Sequence, residues 1–337
     1  MFNLFELIQK LAQIPGGAGD ESRIRDELRA LAAPFADEIE VDALGNLIVT
    51  KYGVQARRQR IMVAAHMDSV GLIVTHIDEN GFLRFGGIGG LAPVNLLHVP
   101  VRFASGARGV IAKDEKADLK GLRLSDLYID IGASSREEAA KQVKVSDTAT
   151  YATETFRAGE NRIVSPCMDN RVGCAVLLLA LEALSEPEHE IVFVFTAQEE
   201  LGVRGARTAA FRIEPAVGIA VDVTRTGDTP DPAAKMECSL GAGAAIKVMD
   251  SSMVCAPELV RALAARAVAE GIPHQYEVLE RGGNDASAIQ QAQAGTYAGA
   301  ISIPTRYIHT PAEMIDERDV RAAVSLLVSY LSGKNYL

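Results

Sequence analysis

The chain contains no tryptophan, and its aromatic share is only 5%. Platforms on which sugar rings could stack are therefore few. Positive charge is also scarce: 34 Lys and Arg stand against 44 Asp and Glu, for a net charge of −10, and no Lys/Arg cluster forms a basic face. Neutralising phosphates needs such a face, so nucleic acid is not an expected partner. The four cysteines, Cys167, Cys174, Cys238 and Cys255, form no CxxC pair and lie too far apart for a zinc knuckle or a disulfide framework. They read as reduced thiols, which points to the cytoplasm. No apolar run approaches a membrane span. The most apolar helix candidate, Val172 to Leu181, is bounded by Arg171 and Glu182 and falls short of the ~18 residues a span needs. The N-terminal run through Leu11 has helical spacing with charge inside it, so it reads as neither leader nor membrane anchor. Also missing are the G-x-S-x-G elbow, HExxH and a Cys–His nucleophile signature, which removes the usual competing hydrolase mechanisms.

What is present is ordinary globular composition, 48% hydrophobic and 23% charged over 337 residues. At ~100–200 residues per domain, that length predicts two domains. The stretch around which the rest is organised is Thr196-Ala197-Gln198-Glu199-Glu200-Leu201-Gly202. Before it, Ile191 to Phe195 is continuous, β-branched and aromatic, as in a strand buried on both faces of a largely parallel sheet. Adjacent acids at the carboxyl end of such a strand lie where open α/β sheets bind ligands. They leave the strand in different directions, so one can bind a metal while the other holds a proton. Two exposed acids on a solvated loop would look the same in isolation.

Other strand ends repeat the placement. Arg60 to Ala65 reads as a buried strand delivering His66 and Asp68, and Ala216 to Val221 ends in Asp222. Asp169 and Asn170 precede an apolar helix, where a helix cap is the ordinary use of such residues. Tyr297 to Ile303 is a strand that leads to His309. Helical spacing recurs over residues 21–31, 205–211, 257–270 and 316–331, and a hairpin is expected over 38–52 with Gly45-Asn46 near its turn. From Val70 to Arg162 the texture changes to short β-like runs broken by Gly, Asn, Asp and Pro, with one helix near Ser135 to Gln142. The predicted architecture is α/β: a mixed, mostly parallel sheet flanked by helices, with a small β-rich domain inserted. Residues 1–69 and 163–337 form the main domain and 70–162 the insertion, whose ends lie near each other at the surface. Unprotected strand edges in the insertion would favour association. The run Gly86-Gly87-Ile88-Gly89-Gly90 satisfies neither GxGxxG nor GxxxxGK[ST], so it is not read as a phosphate loop.

Imidazoles and carboxylates without thiolates, converging on one sheet edge, suit a pair of divalent first-row metals. Fewer than four protein ligands per ion leave room for water and substrate, as catalytic sites do. The runs His66-Met67-Asp68-Ser69-Val70-Gly71, Met168-Asp169-Asn170-Arg171-Val172-Gly173, Gln198-Glu199-Glu200-Leu201-Gly202, Gly282-Gly283-Asn284-Asp285-Ala286 and Arg306-Tyr307-Ile308-His309, with Asp222, together resemble the tetrahedral metallo-aminopeptidases. That family includes glutamyl and deblocking aminopeptidases, and some members carry an endoglucanase label. The resemblance covers nearly the whole chain. It implies one ion held by His66, Asp169 and Asp222 and another by Asp169, Glu200 and His309, with Asp169 bridging. It also implies Glu199 as general base, Asp68 as the carboxylate that orients His66, and a cis peptide between Asp169 and Asn170. Two divalent ions per subunit are expected, zinc or cobalt first and manganese next. The implied partners are short peptides and further copies of the chain, as dimers assembled into a dodecamer. Asn284 departs from the threonine more usual in the family, which bears on substrate preference, and Arg225 could attract an acidic side chain. The competing readings are a glycosidase, for which two adjacent Glu are poorly placed, and an inactive assembly protein on the same scaffold.

Overall fold

The computed structural model describes residues 2–55, 59–232 and 235–333. Two helices, α1 (Leu4–Ala12) and α2 (Ser22–Ala32), precede a hairpin of β1 (Glu38–Val41) and β2 (Leu47–Lys51). Asp42 makes the hairpin turn by accepting the backbone N–H of Leu44, Gly45 and Asn46, each at 3.0 Å. Gly45 takes a φ of +101°, which a residue without Cβ adopts freely. After β3 (Arg60–His66) the chain builds β4 (Gly71–Ile77), β5 (Leu83–Ile88), β6 (Pro100–Phe103), β7 (Arg108–Lys113), β8 (Leu127–Asp130), α3 (Arg136–Ala140) and β9 (Thr148–Tyr151). It then returns through β10 (Phe156–Ala158), β11 (Arg162–Ser165), α4 (Met168–Ala183), β12 (Glu190–Thr196), α5 (Arg204–Ile213) and β13 (Val217–Thr224). The last elements are β14 (Ala244–Met249), α6 (Pro257–Glu270), β15 (His274–Val278), α7 (Asp285–Gln290), β16 (Tyr297–Arg306), β17 (Glu313–Asp316) and α8 (Glu317–Leu331).

The large sheet runs β1-β2-β12-β3-β13-β16-β17-β11-β10, with β14 joined to β16 and carrying β15. Its centre, β12, β3, β13 and β16, is parallel. Both flanks are antiparallel. The reason lies in the apolar runs. Alternate residues of β3 and β12 feed two different cores: Ile61, Val63, Ile191, Phe193 and Phe195 pack with α1, α2, α4 and α8. Met62, Ala64, Val192 and Val194 pack with α5 and α7 on the other face. A strand with helices on both sides must be apolar at every position. Full burial of each large side chain stabilises by about 1.5–3 kcal/mol, which anchors the polar turns that follow these strands.

The strands β4-β5-β8-β7-β6-β9 close into a small antiparallel barrel around Leu72, Val74, Leu83, Phe85, Val101, Phe103, Ile111 and Ile129. Closure overturns the expectation of open strand edges here, because β4 pairs with β9 and completes the ring. Within the stretch 70–162, β10 pairs with β11 and belongs to the large sheet. Strand β13 runs two residues past Asp222, held in register with β16. Among the described residues no helix is long and apolar enough to cross a membrane. All four cysteines are free and buried.

Candidate active site at the carboxyl edge of the parallel strands

The register of the parallel strands decides what meets at their ends. His66 pairs with Thr196, so the turn carrying Glu199 and Glu200 emerges beside the imidazole. Asp222 sits opposite Ser302 near the end of β13, and β16 exits toward His309. Asp169 stands at the head of α4, joined to Asn170 by a cis peptide bond. The carboxylate of Asp169 lies between the two imidazoles: His66 Nε2 is 2.9 Å from Oδ1 and His309 Nε2 is 3.2 Å from Oδ2. Asp222 Oδ1 is 3.6 Å from His66 Nε2, and Glu200 Oε1 is 3.3 Å from His309 Nε2. The expected ligands thus form two trios sharing Asp169.

Buried hydrogen bonds hold this arrangement. Asp68, wholly buried, accepts the backbone N–H of Glu199 at 3.0 Å and of Glu200 at 3.1 Å, one on each carboxylate oxygen. His66 Nδ1 lies 3.1 Å from the backbone carbonyl of Asp68 and 3.6 Å from its carboxylate, so both groups face the ring. The same carboxylate also seats the Glu pair. Asn170 donates to Val221 O at 2.8 Å and accepts the N–H of Gly173, tying the head of α4 to β13. Gln198, Tyr307 and His309 adopt left-handed backbone at φ 56°, 61° and 64°. For residues with a Cβ this conformation is uncommon and gathers at functional sites.

The electrostatics follow from crowding carboxylates in a buried place. Burial pushes the Glu199 carboxyl well above its ordinary range, against the opposing charge of His66. Burial likewise raises Glu200 and Asp222, opposed by hydrogen bonds from His309 and His66 respectively. Asp169 goes the other way: burial would raise it, but the two imidazoles hold it well below the carboxylate range. Burial also works against charge on His309, yet the Asp169 and Glu200 carboxylates lift its imidazole to about 11. Glu200 Oε1 is buried without a hydrogen bond of good geometry, and His66, Asp169 and Glu200 present ligand atoms within 4.8 Å of one another. The donor set and its spacing fit divalent cations.

Three supporting residues had no role in the sequence reading, although Arg171 and Asp285 lie within the runs quoted there. Glu313, at the start of β17, is almost wholly buried and accepts the backbone N–H of Asp169 at 3.0 Å and of His309 at 2.6 Å. Burial beside Asp169 lifts its carboxyl to about 8. Its signal was the sequence His309-Thr310-Pro311-Ala312-Glu313, an acid just past a turn. Asp285 faces the site from the head of α7, and burial raises it to about 7. Arg171, fully buried, donates to the carbonyls of Leu11, Ile14 and Gly16 and lashes the N-terminal turn to α4. Asn284 accepts the N–H of Ala286 at 2.9 Å as the cap of α7, and Arg225 is exposed.

Imidazoles and carboxylates gathered at the carboxyl ends of parallel strands, where open α/β sheets bind their ligands, mark a candidate metal-binding active site. The chain belongs to the M42 glutamyl aminopeptidase family, whose sequence profile matches residues 45–326. The lysyl aminopeptidase of Pyrococcus furiosus is 36% identical over 97% of this chain and 96% of its own. An aminopeptidase structure from Desulfurococcus kamchatkensis superposes with a TM-score of 0.94 at 38% identity, covering 98% of this chain and 94% of that one. The TET1 peptidase of Pyrococcus horikoshii, described as able to assemble into a tetrahedron or a large octahedral shell, superposes at 0.88 with 33% identity, covering 98% and 99%.

Proposed function

We propose that the chain is a metal-dependent aminopeptidase that removes N-terminal residues from short peptides, with Glu199 as its general base. The observation that carries the reading is the single buried Asp169 carboxylate with one histidine Nε2 on each oxygen. His66, Asp169 and Asp222 would hold one divalent ion, and Asp169, Glu200 and His309 a second, with zinc or cobalt as the leading candidates. Bound there, such ions supply Lewis acidity toward a peptide carbonyl and a water. The chain's own groups do the rest. Glu199 accepts a proton from water as the water oxygen bonds to the scissile carbon. It then returns that proton to the leaving nitrogen as the C–N bond breaks. Its burial raises its carboxyl above the ordinary range, which helps a group that must give the proton back as well as take it.

Assembly into dimers and then a dodecamer, in the cytoplasm, is part of the same reading. The assembly is supported by the Pyrococcus horikoshii relative, which can form a tetrahedron or a large octahedral shell. In this reading copies meet through outer side chains of the barrel, whose strands are closed on one another. The glycosidase reading has no observation at this site behind it.

The test compares three variants by metal content and by release of arylamine from aminoacyl-arylamides. Glu199→Gln is expected to keep its metal and lose turnover by roughly 10²–10⁴-fold. Glu200→Gln and Asp169→Asn are expected to lose metal as well. Equal metal loss in all three would refute the roles, and absence of bound divalent ion in metal-replete native protein would refute the reading itself.

A further inference from the structure

The glycine run that failed as a phosphate loop does something else in the folded chain. It leaves β5 of the barrel, and its end lies against the candidate active site: the Gly90 carbonyl is 2.8 Å from His309 Nδ1. A carbonyl oxygen can only accept, so Nδ1 must carry the proton and Nε2 is the nitrogen left for a ligand bond. Nε2 is also the nitrogen that faces Asp169 and Glu200. The preceding glycine meets the other ligand of the same trio. A Cβ on Gly89 would come within 3.0 Å of Glu200 Oε2 and 2.8 Å of Val70 Cγ1, and Gly89 holds a φ of +77°. A Cβ on Gly90 would sit 3.2 Å from His309 Nδ1 and 3.4 Å from Cε1. A Cβ on Gly89 would crowd Val70 and Glu200, and one on Gly90 would press on the His309 ring.

We propose that the Gly89-Gly90 turn of the barrel is the positioning element for the Glu200 and His309 half of the site. It sets the His309 ring and its tautomer, and the Cβ positions of its two glycines lie nearest Val70, Glu200 and His309. The inference rests on the metal reading above and adds an asymmetry that reading lacks. The barrel and one metal position form a single unit, although His309 and Gly90 are 219 residues apart in sequence.

The experiment titrates chelator-stripped protein with cobalt chloride by calorimetry, comparing the native chain with Gly90→Ala and Gly86→Ala. Gly86 is the control, since a Cβ there would make only ordinary contacts, 3.6 Å to Ile73 Cγ2 and 3.7 Å to Thr75 Cγ2. Gly90→Ala is expected to weaken one of two cobalt-binding events by roughly 10–100-fold, the usual loss when a partner that orients a ligand is disturbed. The other event should stay unchanged, and Gly86→Ala should match the native titration. Native-like binding by a folded Gly90→Ala, or equal weakening of both events, overturns the proposal. Should Gly90→Ala not fold, hydrogen exchange of the native chain decides. Cobalt loading is expected to slow exchange in residues 86–92 as well as 305–313, and no change in 86–92 overturns the proposal. A native chain that binds no cobalt refutes the metal reading instead, so the two failures are distinct.

Discussion

Asp68 supports both Glu199 and Glu200, and replacing it tests whether buried hydrogen bonds to their backbone set the site. In Asp68→Asn the shape is kept, but one carboxylate oxygen becomes an amide group that can only donate. The native carboxylate accepts from Glu199 N at 3.0 Å and Glu200 N at 3.1 Å in a place with no solvent exposure. Hydrogen bonds to a charged group are each worth about 1.5–3 kcal/mol net. Asparagine keeps one of them and sets a donor against a donor at the other, so a loss of about 2–3 kcal/mol is expected. Asp68→Ala leaves two buried N–H groups without partners, at about 1–3 kcal/mol each, or about 2–6 kcal/mol together. Denaturant midpoints at one fixed protein concentration measure these losses, since assembly would make them concentration-dependent. The same geometry predicts that metal affinity falls roughly 10–100-fold in Asp68→Asn, because Glu200 is no longer seated. If Asp68→Asn stays within about 0.5 kcal/mol of the native chain, the ordinary range for a change away from such features, and binds metal normally, the reasoning is wrong.

Lys247 is buried between Asp250, with Nζ 3.2 Å from Oδ2, and Glu277, which it also contacts directly. Lys247→Met strands two buried carboxylates and should destabilise by about 3–5 kcal/mol, measured by the same midpoints; a neutral result would mean that the cluster is hydrated. Asp228 receives the forked Arg306 side chain at 2.7 and 3.0 Å. Against the upward push of burial, that pair holds its carboxyl down at about 2. A depressed carboxylate stabilises the fold above its unfolded value near 4 and loses that contribution as pH falls toward 2. The stability gap between the native chain and Asp228→Asn should therefore be full at pH 6 and shrink between pH 4 and 2. A gap independent of pH would sink the assignment.

The sequence by itself determined which residues stand at the strand ends. Ile191 to Phe195 and Ile61 to Ala65 must be buried on both faces, and a buried strand can change to His66-Met67-Asp68 or Gln198-Glu199-Glu200 only where it leaves the sheet. That punctuation is local, so it is legible without a fold. The hairpin and the apolar α4 were legible for the same reason. Tertiary structure alone decided what supports those residues. Glu313 bonds to an N–H 144 residues away at Asp169, and Gly90 to a ring 219 residues away at His309. Neither belongs to a periodic pattern, and one acid or one glycine near a turn does not say which distant group it will meet. The barrel's closure was likewise invisible: short strands look alike whether or not the first finds the last. Whether β4 pairs with β9 depends on accumulated twist and register across the whole ring, which no stretch of sequence contains.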